Sequence, residues 1–562
     1  MLHGLIRKGR QVIGDPALRG WMWRRALGLE PGPESFTPHR PPYLDFPASL
    51  FADKAPPPPQ RVARPTPRAP LVFHLHGRTV RVEPEAPDAM FDMDGDLEFK
   101  LGLHRFAWLP LVGQDVDPAW VSAVWEAWTT RYGERAEGWA WHPYTTAERA
   151  INLLDYAEQE GQTAPSDALL LRHAQVIAGN LEYFGERGTG NHLTNNGRGL
   201  YRLGLALRRE DVTEMGRCIL RQEAGRLYSP GGVLREGSSH YHLLTTRWMA
   251  DVWRTARRQG RPEAAEFAAL TGQALRALDD LVLPGGLPLI GDISPDCPPD
   301  FLGGLLPGGD PRLGWTARLR EDERAEMLAL KASSPPVDLA VAGWHRLLCG
   351  RFSLLVFASP TGWPPMPGHG HQDLGGFELH VGSERVFVDP GRGHYGEAGD
   401  AALYRSGQVH NTLLVDDQDP SPPNKPYYAD TYRRKVGGTP PTVTRQDNTL
   451  SLTHHGFARL GAGSLTRSWT IDGNALTLRD RLTGGGVHRL TRRLFTPLAV
   501  EKDGTGLMLS SSTGRYRLSG GAAELRPATL WSAYGEGAAG TEIVFTERTA
   551  LPWAGQLTLE AL

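Results

Sequence analysis

A change in hydrophobic periodicity near residue 335 restricts the fold more than any other feature of the sequence. From about residue 115 to about residue 285, apolar residues recur with the i, i+3, i+4, i+7 spacing of amphipathic helices, as in WVSAVWEAWTTRYG. Beyond about residue 335 they alternate with polar residues, as in GGFELHVGSERVFVD. Because helices and strands are segregated, the sequence predicts a helical domain followed by an antiparallel β domain, and it argues against an alternating βαβ fold.

The N-terminal residues differ in composition from both domains. The stretch from Ala55 to Pro70 is too rich in proline for a helix or a central strand. We therefore expect an arm with a proline-rich connection over residues 1–70, a helical domain over 71–335 and a β domain over 336–562.

The first 28 residues are basic and amphipathic, and they predict a surface helix. The alternative is contact with an anionic membrane surface through Trp21, Trp23 and the arginines. The segment lacks the apolar run and cleavage site of a secretory signal, which favours a cytoplasmic protein over a periplasmic or exported one. No run of about eighteen apolar residues occurs, so the sequence predicts no membrane-spanning helix.

Charge and cysteine content exclude several classes of protein. The chain has 61 basic and 63 acidic residues, so no overall field attracts a polyanion, and an acidic ligand needs a local cationic site. The three cysteines, Cys218, Cys297 and Cys349, are widely spaced, which argues against disulfides and thiolate-rich zinc sites. Because phosphate-binding glycine motifs and basic-aromatic signatures are absent, we expect no nucleotide or nucleic-acid partner.

A cluster of histidines and carboxylates opens the β half. His369, His371 and Asp373 alternate in sequence on a predicted strand, where residues i and i+2 share a face. Gly370 leaves that face open, so the three side chains are expected to converge on one site. The alternative is polar decoration of an exposed strand.

Two polar clusters interrupt the helical half. Asn191 and His192 are adjacent at a helix start and would supply compact donors to a carboxylate; the alternative is an ordinary helix cap. Tyr241 lies between His240 and His242, and the alternative there is a buried tyrosine with surface histidines. Neither pair is specific alone.

Together these motifs resemble the heparinase II/III family of polysaccharide lyases over roughly residues 90–490. The segments that match in order are Trp141-His142-Pro143-Tyr144, Asn191-His192, Glu236-x-Ser238, Tyr241-His242, Pro288–Asp292, His369-x-His371-x-Asp373, Val388-Asp389-Pro390-Gly391 and Arg405 before His410-Asn411-Thr412. The resemblance implies an incomplete α/α toroid followed by an antiparallel β-sandwich, with substrate bound between them.

The resemblance also implies roles for individual residues. The catalytic group is Tyr241, His369, Asn191 and His192. Contacts with substrate are implied for Trp141, Asn195, Glu236, His240, Tyr404 and Arg405, and Trp139, Trp141 and Trp248 are expected nearest the groove. His371, Asp389 and His410 correspond to a structural zinc site, for which two imidazoles and a carboxylate are suitable donors; the alternative is a metal-free hydrogen-bonded cluster.

The implied reaction is β-elimination on an acidic, uronate-containing polysaccharide or oligosaccharide. The enzyme must neutralise the uronate carboxylate, remove the C5 proton and protonate the oxygen leaving C4. Tyr241 and His369 are candidates for base and acid, and the sequence leaves their assignment open. Asn195 stands where related lyases often carry glutamate, so the carboxylate pocket differs here.

Two other functions remain open from the sequence. A non-catalytic polysaccharide-binding or exopolysaccharide assembly protein would keep the fold without the chemistry. An α/α-toroid glycoside hydrolase would use paired carboxylates, for which Glu236 and Asp292 are candidates.

Overall fold

The computed structural model describes residues 9, 12–30, 37–52, 66–112, 116–160, 165–365, 367–422, 432, 440–504 and 506–562. Most of the predicted proline-rich connection, residues 55–65, lies outside these ranges. Within them, the predicted order of helices followed by strands is confirmed.

The helical part is built from helices that pack against one another in pairs. The α-helices are α1 (Pro16–Ala26), α2 (Ala48–Ala52), α3 (Leu97–His104), α4 (Trp108–Val112), α5 (Pro118–Tyr132), α6 (Pro143–Glu160), α7 (Asp167–Gly179), α8 (Asn191–Leu207), α9 (Glu210–Leu227), α10 (Ser239–Arg258), α11 (Ala264–Leu281), α12 (Glu321–Ser333) and α13 (Gly399–Leu403). Helix α8 packs against α6, α7 and α9, and α11 packs against α10 and α12. None of the described helices is long and apolar enough to cross a membrane.

A buried network of ion pairs joins helices α6, α8 and α10. Asp251 accepts from Arg198, Arg202 and Arg254 at 3.0, 2.7 and 2.9 Å. Asp155 accepts from Arg202 and Arg254 at 2.7 and 3.0 Å. Because removing one partner from a buried network leaves charges unpaired, these contacts fix the helices relative to one another.

The β part begins at Trp344, about ten residues after α12 ends at Ser333. Its strands are β3 (Trp344–Cys349), β4 (Phe352–Phe357), β5 (Gly376–Val381), β6 (Glu384–Phe387), β7 (Leu413–Val415), β8 (Thr442–Gln446), β9 (Thr449–His454), β10 (Ala462–Asp472), β11 (Ala475–Gly484), β12 (Val487–Thr496), β13 (Ala499–Asp503), β14 (Gly506–Ser510), β15 (Arg515–Ser519), β16 (Glu524–Ala533), β17 (Glu536–Ala550) and β18 (Trp553–Ala561). A hairpin of β1 (Leu71–Leu75) and β2 (Arg78–Val82), which the sequence analysis did not predict, precedes the helices.

The strands form three antiparallel sheets besides that hairpin. Their orders are β13-β14-β15-β18-β11-β10-β9-β8, β16-β17-β12-β7 and β3-β4-β5-β6. The hairpin between β10 and β11 turns at Gly473-Asn474, where Gly473 has a positive φ of 56°; the β5–β6 hairpin turns at Gly382-Ser383. Alternate apolar residues of these sheets share one core, as the period of two predicts.

The first sheet of the β part also packs against the helices. Trp344, Leu355 and Phe357 belong to the same apolar core as Trp248 and Trp253 of α10. This shared core fixes β3–β5, and the loop that precedes β5, against the start of α10. The candidate site lies where these elements meet.

Candidate active site

Three backbone segments meet between the two parts of the chain. His369 donates its backbone N–H to Glu236 O at 2.7 Å, and Asp292 donates to His369 O at 2.9 Å. Ser239, the first residue of α10, donates to Ile290 O at 3.1 Å. These bonds bring the start of α10, the 290–292 segment and the loop before β5 to one place.

Glycine permits this close approach. Gly291 has a φ of +84°, and a Cβ there would lie 2.5 Å from Gly237 O and 2.8 Å from His369 O. Gly237 has a φ of +75°, and a Cβ there would lie 3.1 Å from Gly370 Cα. A larger residue at either position would force the segments apart.

The His369–Asp373 motif is not on a strand, as the sequence analysis expected. Residues 367–375 form a loop, and β5 begins at Gly376. The expectation that His369, His371 and Asp373 converge holds for the two histidines, because both contact one carboxylate, whereas Asp373 lies with Asp389 and His410. His369 Nδ1 lies 3.0 Å from Asp292 Oδ2, and His371 Nε2 lies 2.8 Å from Asp292 Oδ1.

Asp292 fixes the protonation of both rings. Burial would raise the pKa of its carboxyl, but the charge of Arg392, 2.8 Å away, and hydrogen bonds from both histidines hold that pKa well below its usual value. An ionised carboxylate only accepts hydrogen bonds. The proton of neutral His369 is therefore on Nδ1, which leaves Nε2 as an acceptor.

Asn191 faces that acceptor. Its Nδ2 lies 2.9 Å from His369 Nε2 and 2.7 Å from Glu236 Oε2, and its backbone N–H donates to Glu236 Oε1 at 2.8 Å. Its Oδ1 is buried without a hydrogen-bond partner. Glu236 thus fixes the orientation of the Asn191 side chain. The Asn191 Oδ1 atom remains able to accept a hydrogen bond from a ligand.

Tyr241 stacks on His369. The ring centroids are 3.4 Å apart with an interplanar angle of 10°. Ser238 caps α10 by accepting from Tyr241 N at 3.1 Å, which positions the tyrosine in the first helical turn. The phenol and the imidazole, predicted from motifs far apart in sequence, are therefore side by side.

The hydroxyl of a second tyrosine, Tyr395, forms a hydrogen bond with the hydroxyl of Tyr241. Tyr395 Oη lies 2.8 Å from Tyr241 Oη and donates to Ile293 O at 3.0 Å, so Tyr241 is the donor in the pair. Burial, followed by the negative charge of Asp296, raises the pKa of Tyr241 well above its usual value. Tyr241 is consequently a protonated phenol in the resting protein.

His192 forms the exposed side of the site. Half of its side chain is exposed, and its Nδ1 lies 2.7 Å from Glu182 Oε1. Burial of the imidazole lowers its pKa, but the charge and the hydrogen bond of Glu182 outweigh this, so the pKa of His192 is raised. A cationic His192 is suited to bind a carboxylate.

Glu182 was not found by sequence reasoning, because it belongs to no local motif. Its carboxylate also accepts from Asn196 Nδ2 at 3.1 Å and lies 3.5 Å from His142 Nε2. The ring of His142 lies 5.6 Å from that of Trp139, which is 55 % exposed. Trp139 is thus accessible near His192, as expected.

Replacing Glu182 by Gln should move the alkaline limb of the activity profile to lower pH. Without the carboxylate, His192 would lose its proton at lower pH, by about 1–3 pH units for a close opposite charge. The measurement is kcat/KM against pH, with the exposed Glu186→Gln as the matched control. An alkaline limb that stays in place would show that His192 does not act as a cation.

A buried cluster of two carboxylates and an imidazole lies beside His371. Donor atoms of Asp373, Asp389 and His410 lie within 4.8 Å of one another. Burial raises the pKa of Asp373 to about 7. Burial lowers the pKa of His410, but Asp389, with Oδ2 2.8 Å from His410 Nδ1, raises it to about 9.

This cluster shares Asp389 and His410 with the predicted metal set and adds Asp373. The structure groups Asp373, not His371, with Asp389 and His410, since His371 directs Nε2 to Asp292. The His371 and His410 ring centroids are nevertheless 5.1 Å apart, and His371 Nδ1 is buried without a hydrogen-bond partner. Burial lowers the pKa of His371 to about 4, so this nitrogen carries a free lone pair.

Several predicted substrate contacts are structural residues instead. Trp141 and Trp248 are buried in the helical cores, and Trp141 Nε1 donates to Tyr132 O at 2.7 Å. Asn195 is fully buried and accepts from Arg198 at 3.1 Å, while buried His240 accepts from Ser294 N at 3.0 Å. These tryptophan and asparagine side chains therefore pack in the helical core and do not line a substrate groove.

Tyr404 and Arg405 are also turned to other partners. Tyr404 Oη donates to Thr529 O at 3.1 Å, and Arg405 pairs with Glu397 at 3.0 Å. The arginine joined to His369 is Arg392, through Asp292. Arg392 and Tyr395 follow directly on the Val388–Gly391 motif, a position that could have identified them.

A family model described as "Heparinase II/III-like, C-terminal" matches residues 331–553. The chain carries a heparinase II/III-like C-terminal domain. This domain contributes His369, His371, Arg392 and Tyr395 to the site, and the resemblance inferred from its motifs is confirmed. Tyr241, Asn191 and His192 come from the helical part that precedes it.

Solved structures extend the likeness to both parts of the chain. A structure of heparinase III has a TM-score of 0.63 at 15 % identity, covering 84 % of this chain and 79 % of that one. A mutant of heparan sulfate lyase HepC from Pedobacter heparinus has a TM-score of 0.54 at 16 % identity, covering 83 % and 77 %. The helical toroid followed by antiparallel sheets is the fold of these proteins. No curated protein sequence matches the chain.

Proposed function

We propose that the protein is a polysaccharide lyase that cleaves a uronate-containing glycan by β-elimination. The observation that carries the proposal is the stacked pair of Tyr241 and His369, placed beside Asn191 and His192. The pair combines a protonated phenol with an imidazole whose Nε2 accepts, and these are the two proton-transfer groups that the reaction needs.

The uronate carboxylate must be neutralised before C5 can lose its proton, because an ionised carboxylate disfavours the carbanion. His192, held cationic by Glu182, would bind one carboxylate oxygen. The buried Asn191 Oδ1 would accept a hydrogen bond from the acid group in its protonated form. The two residues therefore stabilise the substrate as it approaches the enolate-like transition state.

The hydrogen bond from His369 Nδ1 to Asp292 supports His369 as the base, and the raised pKa of the Tyr241 phenol supports Tyr241 as the acid. His369 Nε2 would take the C5 proton, and the resulting imidazolium would be stabilised by Asp292 at Nδ1. Tyr241 would donate its proton to the oxygen that leaves C4, and the Tyr395 hydroxyl would then turn from Ile293 O to donate to the phenolate. The products are an unsaturated uronate and a new reducing end.

The carboxylates proposed for a hydrolase are already engaged. Glu236 accepts from the Asn191 backbone and side chain, and Asp292 accepts from two histidines and Arg392. Neither is arranged as a free acid beside a water-activating base. A purely binding protein, in turn, would gain nothing from a buried phenol stacked on an oriented imidazole.

The test is digestion of defined uronic-acid polysaccharides with the purified protein, followed by ultraviolet absorbance of the unsaturated uronate. Absorbance that rises as chain length falls is the expected result. Chain shortening without that absorbance would indicate hydrolysis, and tight binding of a polysaccharide without cleavage would indicate a binding protein.

The buried cluster of Asp373, Asp389 and His410, next to the loop that carries His369, is suited to bind a structural zinc ion. Asp373, Asp389 and His410 would hold it, and His371 Nδ1 adds a buried nitrogen that lacks another partner. Two imidazoles and two carboxylates are a donor set that zinc accepts. The metal would supply a rigid cross-link between the loop before β5 and the segments after β6, which would keep His369 in place.

Removing this metal should destabilise the β domain. At a metal concentration of roughly 100 times Kd, chelation would lower the free energy of unfolding by about 3 kcal/mol. Metal analysis and thermal unfolding with and without a chelator measure this, and His410→Ala should abolish both the zinc content and the chelator effect. His454→Ala, which removes another buried histidine of the same domain, should retain both. Native protein without zinc and without a response to chelator would contradict the site.

A further inference from the structure

The outward face of helix α1 combines exposed apolar side chains with arginines. Leu18 and Trp21 are buried and pack with Trp363 and Tyr432, which holds the helix along the protein surface. By contrast, Trp23 is 70 % exposed. The sequence analysis grouped both tryptophans on one face, but only Trp23 faces solvent.

Helical geometry places the exposed residues in a simple order. At about 100° per residue, Trp23 lies about 140° and Leu27, the C-cap, about 180° around the axis from buried Leu18. Arg19 and Arg24 lie on either side of them, at about 100° and about 240°. The outward face of α1 therefore has a central apolar strip, Trp23 and Leu27, with the guanidinium groups of Arg19 and Arg24 on either side.

The residues around the helix continue this apolar surface. Five of the fifteen exposed large apolar side chains among the described residues lie between positions 13 and 29: Ile13, Met22, Trp23, Leu27 and Leu29. Such a concentration in one short segment marks an interaction surface, whereas single exposed apolar residues need no explanation.

The charge of the segment indicates the kind of partner. Six of the first 30 residues are Arg or Lys and two are acidic, although the whole chain has slightly more acidic than basic residues. Both acids are engaged within the protein: Asp15 pairs with Arg459 at 2.8 Å, and Glu30 pairs with Arg24 at 2.9 Å. Helix α1 itself carries Arg19, Arg24 and Arg25 and no acidic residue, so it remains cationic even with Arg24 paired to Glu30, on a chain without net positive charge.

We propose that the α1 face binds an anionic lipid surface. An indole and leucines at the crest of a helix that lies flat would enter the boundary between headgroups and acyl chains, and the flanking arginines would contact the headgroup phosphates. The proposal does not depend on the lyase chemistry.

Vesicle sedimentation of the full chain tests this proposal. Vesicles of phosphatidylcholine with phosphatidylglycerol should retain the protein, pure phosphatidylcholine vesicles should bind at least about tenfold more weakly, and salt should weaken the binding. Arg19→Gln with Arg24→Gln should lower the partition coefficient about thirtyfold. Trp23→Ser with Leu27→Ser should lower it by at least about tenfold through lost apolar burial.

Leu328→Ser is the matched control, because Leu328 is a 60 % exposed leucine on another helix, α12, and it should bind as the native chain does. Thermal unfolding should be unchanged in all variants, since each altered side chain is exposed. Absence of binding, or equal binding to both vesicles, would overturn the proposal. Self-association in analytical ultracentrifugation that Trp23→Ser abolishes would assign the face to a second copy instead.

Discussion

Tyr241→Phe is expected to reduce turnover of a uronate polysaccharide by about 10³-fold, within the range of losses for a general acid or base. The substitution removes one hydroxyl and keeps the ring stacked on His369. Tyr395 retains its hydrogen bond to Ile293 O, so no buried donor is left unpaired. The fold and the affinity for substrate should therefore be preserved.

Initial rates, together with substrate binding by calorimetry, measure this effect. Tyr228→Phe, which removes the hydroxyl of another buried tyrosine in the same core, should keep full activity. Turnover of Tyr241→Phe within a few-fold of the native rate would contradict a role for the phenol. Loss of both substrate binding and turnover would show that the phenol maintains the structure of the site and does not transfer a proton.

Asp292→Asn is expected to lower kcat by about 10³-fold or more, through the same tautomer effect that an amide causes beneath a catalytic histidine. The amide nitrogen of asparagine would donate to His369 Nδ1, so the ring proton would move to Nε2. His369 Nε2 could then no longer accept the C5 proton. Arg392 would also lose the charge of its buried partner.

The two consequences can be measured separately. Thermal unfolding reports the lost ion pair, and kcat of the folded variant reports the altered tautomer. Asp300→Asn, an exposed aspartate eight residues further along, should change neither. Native kcat in folded Asp292→Asn would contradict the role of His369 Nε2 as base.

The fold was largely predictable because its two periodicities are separated in the chain. Alternation in β9–β12 and the i, i+3, i+4 pattern in α6–α11 each indicate a single kind of element. The β1–β2 hairpin was missed, because five-residue strands in an otherwise irregular segment give little periodic signal.

The site was predictable where a motif carries the chemistry, as at Asn191, Tyr241 and His369. The supporting residues were harder to find, because they depend on contacts between distant segments. Glu182 reaches His192 from the loop after α7, and Asp292 joins two histidines more than seventy residues away. The prediction that Trp141 and Asn195 contact substrate was wrong, because both side chains are buried. The spacing of residues along a helix does not show whether a given side chain packs in the core or lines a substrate groove.

The most direct test of the central claim is nuclear magnetic resonance of the oligosaccharides released from the best uronate substrate. The proposed lyase should leave a C4–C5 double bond at every new non-reducing end, and Tyr241→Phe should release no such product. A saturated non-reducing uronate that carries a C4 hydroxyl would show hydrolysis and would contradict β-elimination.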